Sequence, residues 1–104
     1  MDAENDSKAW EPVAVALGIR IQQERERLGL TKEALAELSG LASRYLWRAE
    51  NGRQNIQLSN ISKIAAALGL TLSDLFAGIE QLVEHPPEKP PVKPRGPAAR
   101  RPKA

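Results

Sequence analysis

The sequence has no cysteine. That excludes disulfides and thiolate metal sites, leaves stability to apolar packing, and makes a reducing cytoplasm the expected home. No apolar run approaches the roughly 18 residues needed to cross a membrane. The opening Met1-Asp2-Ala3-Glu4-Asn5-Asp6 is acidic where a secretory signal is basic and then apolar. Histidine occurs once, as His85 beside two prolines. No Gly-rich phosphate loop is present, and the carboxylates follow helical surface spacing beside Lys and Arg. Catalysis, a bound metal and a cofactor are therefore not expected. No segment alternates polar and apolar residues over a strand's length, so the fold class is all-α.

The formal net charge of +2 hides an asymmetry. The segment 85–104 holds six Lys/Arg against one Glu, whereas the first twelve residues hold four acids against Lys8. The stretch between them is balanced. The basic isoelectric point thus belongs to the tail and does not by itself argue for a nucleic-acid partner. Residues 85–104 also carry seven of the eight prolines. Proline lacks the amide hydrogen and fixes φ, so this segment is expected to be a basic, disordered or extended tail. Residues 1–11 are polar and expected to be flexible, with Trp10 the one side chain suited to packing back on a domain. One domain, 12–84, remains.

Within it the apolar spacing predicts five short helices. The first starts near Pro12, at home in a first helical turn, and aligns Ala14, Leu17, Gly18, Ile21, Arg25 and Leu28 on one face before Gly29. Thr31 is an N-cap for the second, with Glu33 in its first turn and Gly40 at its end. The third runs from about Ala42 to Glu50 and closes at Asn51-Gly52. The fourth spans about Leu58 to Leu68 with Ile61, Ile64, Ala65 and Leu68 inward. Thr71 caps a last helix carrying Leu72, Leu75, Phe76, Ile79, Leu82 and Val83.

The segment Thr31–Glu50, TKEALAELSGLASRYLWRAE, is the informative one. Two helices of about eight residues joined by a tight Gly-containing turn make a helix-turn-helix. Ala36 is small where the helices must approach. Gly40 supplies the positive φ of the turn. Leu35, Leu38, Leu41, Leu46 and Ala49 are expected on the shared inner face. Ser43, Arg44, Trp47 and Arg48 then fall on the outer face of the second helix. A helix of this width fits the major groove of DNA, where Arg offers paired donors to guanine O6 and N7.

Residues 17–76 resemble the Cro/phage-repressor (XRE-type) helix-turn-helix family. The likeness rests on R-x-x-x-x-R before L-G-L-T, then E-x-L-A, G-L, E-N-G-R, K-I-A-x-A-L-G and a final L-F, in order over about sixty residues. The run R-Q-N-I-Q-L-S-N-I-S-K-I-A is also similar to controller proteins of restriction–modification systems. The resemblance implies a five-helix DNA-binding domain and a transcription regulator, with repression the expected outcome and activation the alternative for controller-like relatives. It implies binding of double-stranded DNA as a homodimer, in the cytoplasm and on the nucleoid when DNA is held. By the same resemblance Ser43, Arg44 and Arg48 take base-contact positions. Lys32, Asn51, Arg53, Gln54 and Asn55 lie where the family holds the DNA backbone, and Trp47 is placed beside them. Arg25 and Glu50 match an ion pair tying the first helix to the recognition helix. The last helix, through Leu75, Phe76, Ile79, Leu82 and Val83, supplies a dimer interface.

Four positions depart from the family's pattern. Lys32 replaces Gln, Ala42 replaces a Ser or Thr cap, Trp47 stands where a small or polar residue is usual, and Ile56 stands where Pro is common. Without its usual cap, the third helix is capped either by Ser43 or not at all. Two other functions stay open at this point. Trp47 on the outer face and the neutral domain suit a protein-interaction module, such as an antitoxin-like subunit. The basic tail suits a nucleoid protein binding all sequences alike, a spacer, or a proline-rich peptide ligand.

Overall fold

The computed structural model describes residues 9–87. Of the start expected to be flexible, 1–11, residues 1–8 lie outside the described residues, whereas Trp10 and Glu11 open the first helix instead; of the expected tail, 85–104, residues 88–104 lie outside them. All regular structure among the described residues is helical: α1 (Trp10–Arg27), α2 (Lys32–Ser39), α3 (Ser43–Glu50), α4 (Leu58–Leu68), α5 (Leu72–Phe76) and α6 (Ile79–Glu84). The five expected helices are all present in order, with the fifth divided into α5 and α6.

Helix α1 starts at Trp10, which puts Pro12 in the first turn, where its missing N–H leaves no bond unmade. The predicted stripe is buried at Ala14, Leu17, Gly18, Ile21 and Arg25, but Leu28 lies past the helix end and is exposed. Ala16 and Ile19, off that stripe, are buried as well. The reason is that α1 is packed from two sides, by α3 and by α6. Gly18 sits where α1 meets the end of α3. A Cβ at this position would collide with the carbonyl oxygens of Ala49 and Glu50, so only glycine permits this approach.

The two threonine caps form as expected. Thr31 Oγ1 accepts from the Ala34 amide at 3.0 Å, and Thr71 Oγ1 accepts from the Asp74 amide at 2.9 Å. Gly40, at φ 74°, turns the chain between α2 and α3. On α2 the inward residues are Leu35, Ala36 and Ser39, and Leu38 is 61% exposed. Its expected place in the core is corrected: α3 and α4 cover the side of α2 formed by positions 35, 36 and 39, and Leu38, three residues on from Leu35, is left to solvent beside that face. Ser39 is tolerated inside because its hydroxyl donates to the Leu35 carbonyl at 2.7 Å.

The core gathers Leu17 and Ile21 of α1, Leu35 and Ala36 of α2, and Leu46 and Ala49 of α3. Ile56, then Ile64, Ala65 and Leu68 of α4, and Leu75 of α5 complete it. The division of the last helix comes at Ala77-Gly78, where Gly78 adopts φ 69°. Helix ends leave carbonyls without partners. Arg20 of α1 reaches across and donates from Nη1 to the carbonyls of Asp74 and Leu75, at 3.3 and 3.2 Å. After the break α6 turns back along α1.

Candidate nucleic-acid interface

Helix α3 is the element that the rest of the domain holds out. Leu46, Ala49 and Glu50 are buried, Ser43, Tyr45 and Trp47 are half-buried, and Arg44 and Arg48 are exposed. Its inner face is therefore spent on the core while both arginines stand on the surface, four residues apart on one side.

Two polar ties fix its orientation. Arg25 grips Glu50 with two bonds, Nε to Oε2 at 2.7 Å and Nη2 to Oε1 at 3.0 Å, while its Nη1 donates to the Leu30 carbonyl at 2.8 Å. Both side chains are buried. Such a pair is tolerable inside a protein only because each charge is answered by good geometry. The expected ion pair is thus present. The second tie was not singled out from the sequence: Asn60 Nδ2 of α4 donates to the Tyr45 hydroxyl at 3.0 Å. A half-buried tyrosine needs a partner for its polar tip, which was the only signal available for it.

The two ends of α3 differ. At the start, Ala42 is the N-cap residue and its side chain makes no bond to the helix. Ser43 is the first helical residue and does not cap, which resolves the alternative left open by the sequence. Arg44 makes no side-chain hydrogen bond or ion pair among the described residues. At the other end the chain folds back through Asn51-Gly52. The Arg53 amide donates to the Arg48 carbonyl at 2.9 Å and the Gly52 amide to the Ala49 carbonyl at 3.2 Å. Gly52 stands at φ 69°, and a Cβ there would lie 2.7 Å from Cγ2 of Val15, so both backbone and space require glycine.

Side chains reinforce that reversal. Asn51 Nδ2 donates to the Trp47 carbonyl at 2.7 Å. Arg48 donates from Nε to Gln54 Oε1 at 3.1 Å and from Nη2 to the Arg53 carbonyl at 3.3 Å. The Arg53 guanidinium lies 5.9 Å from the centre of the Trp47 ring, within cation–π range. Trp47, the residue out of keeping with the family's pattern, thus has a place as the shelf for Arg53. Lys32 is half-buried at the first position of α2, and Asn55 is exposed at the rim of an apolar hollow of about 360 Å³ lined by Trp10, Val13, Ile56, Ile61 and Phe76 among others.

The structure thus brings Ser43, Arg44, Trp47, Arg48, Asn51, Arg53 and Gln54 together on α3 and the loop after it. The residues expected at a dimer interface are divided. Leu75 is buried in the core from α5 and Ile79 is buried at the start of α6, whereas Phe76, Leu82 and Val83 are half-buried. No group of three or more His, Cys, Asp or Glu among the described residues is placed to hold a metal, and no single described helix is long and apolar enough to cross a membrane.

Comparison with known proteins identifies the family of the fold. The sequence model of the HTH_3 helix-turn-helix family matches residues 21–75. The chain is 37% identical over 70 residues to the control protein C.MunI of a Mycoplasma species, covering 66% of this chain and 95% of that protein. Among solved structures, it is similar to the restriction-modification controller protein C.AhdI of Aeromonas hydrophila. The identity is 41% and the TM-score 0.59, over 61% of this chain and 96% of that one. It is also similar to the clp gene regulator ClgR of Corynebacterium glutamicum, with 26% identity, a TM-score of 0.66, and coverage of 69% and 77% of the two chains.

Proposed function

The chain belongs to the HTH_3 family of helix-turn-helix DNA-binding transcription regulators, and from that premise we propose that it is a sequence-specific repressor that binds a pseudo-palindromic operator as a homodimer. The observation that carries this reading is the exposed Arg44 in the first turn of a helix whose opposite face is locked into the core. Helix-turn-helix proteins read base edges with the N-terminal part of the second helix, and dimers place two such helices about one helical turn apart. Ser43 and Arg44 enter the major groove first, with Arg48 behind them. Lys32, Trp47, Asn51, Arg53, Gln54 and Asn55 run along the phosphate backbone. Phe76, Leu82 and Val83 offer the apolar surface for the second copy, with Leu75 and Ile79 behind them.

The likeness to C.MunI and C.AhdI supports a narrower form of the same reading, a controller of a restriction–modification system. Selection from random duplex DNA by the purified full chain tests the proposal, with sedimentation of the protein–DNA complex giving the stoichiometry. Enrichment of an inverted repeat bound by two copies is the expected result. Enrichment of no sequence, or a single copy on an asymmetric site, sinks it. A selected site that recurs upstream of a restriction-enzyme gene is the result expected of the narrower form.

A further inference from the structure

Arg44 and Arg48 share one side of α3, yet they occupy different ends of it and different surroundings. Arg44 is in the first turn, exposed and unengaged among the described residues. Arg48 is in the last turn, and its Nε and Nη2 are both turned toward the loop, to Gln54 Oε1 and the Arg53 carbonyl. Those two nitrogens form one of the guanidinium's two paired-donor edges. That edge is the same kind of fork that guanine recognition uses. The backbone joins in, since the Arg48 carbonyl accepts from the Arg53 amide at 2.9 Å. Arg53 in turn leans on Trp47, and Asn51 closes on the Trp47 carbonyl. The residues 47, 48, 51, 53 and 54 therefore make one closed set that fastens the loop to the helix end.

We propose that Arg48 is a positioning residue, locking the 51–55 loop against the last turn of α3, and that base discrimination on this face falls to Arg44. The inference rests on the DNA-binding reading above and narrows its base-reading set, moving Arg48 from the groove to the loop. In the complex, the locked loop presents its side chains and amides to phosphate as a preformed surface, and the N–H groups of Arg48 not used by Gln54 and the Arg53 carbonyl join them. Affinity gains because the loop is ordered before binding. Sequence preference gains nothing from Arg48, since phosphates are the same at every base pair.

The test compares Arg44→Ala, Arg48→Ala, Gln54→Ala and the Arg48→Ala/Gln54→Ala double variant with the wild-type chain. Each is put through the random-duplex selection, measured by fluorescence anisotropy on the selected site and its single-base variants, and examined for amide hydrogen exchange without DNA. Arg44→Ala is expected to flatten the preference at one base pair per half-site and to weaken cognate binding by roughly 5- to 150-fold. Arg48→Ala and Gln54→Ala keep the wild-type preference and weaken all sites by a common factor. Both speed exchange at the Gly52 and Arg53 amides while the melting temperature holds. The double variant stays within about twofold of Arg48→Ala alone, as expected of two members of one contact. If Arg48→Ala erases a base preference that Gln54→Ala retains, or if neither changes loop exchange, the proposal is overturned. If the wild type itself selects no sequence, the DNA-binding reading has failed and the inference goes with it, a result distinct from either pattern.

Discussion

The two ends of α3 are built on opposite plans. Its last turn is held by Arg25 through Glu50, by the close approach of Gly18, and by the loop that folds back over Arg48 and Trp47. Its first turn has no side-chain cap and carries an arginine without a partner among the described residues. A helix fixed at one end and open at the other presents free donors in a defined direction. Preorganisation at the anchored end lets the open end give its hydrogen-bonding capacity to a ligand.

Glu50→Ala is the strongest way to break this contrast. It leaves Arg25 buried without its carboxylate, so thermal or urea unfolding should show a loss of about 3–5 kcal/mol. A loss below 1 kcal/mol would mean that water or another group readily replaces the pair. Gly18→Ala attacks the same end sterically, since the new methyl meets backbone carbonyls that have no rotamer to change. About 1–3 kcal/mol is expected from such overpacking, together with weaker DNA binding as α3 is pushed outward. Unchanged stability and unchanged binding in that variant would remove Gly18 from the positioning of α3.

The comparison is sharpened from the other side by Ala42→Ser. The Ala42 backbone, at φ −71° and ψ 145°, already has the extended conformation of a capping residue. A serine hydroxyl there should satisfy an open amide and raise stability by about 0.5–2 kcal/mol. If the melting temperature does not rise, the amides at this end are already served by solvent.

Much of the frame around the candidate site was legible in the sequence, because its caps and turns are local. Thr31 and Thr71 cap within three residues, Gly40 marks a turn, and the Arg25–Glu50 pair followed from the family resemblance. The misplacements share a cause. Leu38 obeys a helical period yet faces solvent, and Ala16 and Ile19 break the period yet are buried. Period alone cannot tell which sides of a helix are covered; that depends on where the other helices lie. Tyr45 and Asn60 lie fifteen residues apart on different helices, so their contact exists only once α3 and α4 are packed.

The sequence by itself determined an all-helical domain, the places where its helices start and stop, and an arginine-bearing helix in a helix-turn-helix. Those are matters of caps, turns and spacing, in which neighbours along the chain settle the outcome. Only the tertiary structure decided that the last helix breaks at Gly78 and that Leu75 and Ile79 are both buried. It alone placed Arg48 on the loop and left Arg44 without a partner among the described residues. Each of these depends on contacts between side chains and backbone made after the chain has turned: Arg20 reaching the carbonyls of α5 from α1, and Gln54 meeting Arg48 across the reversal at Gly52.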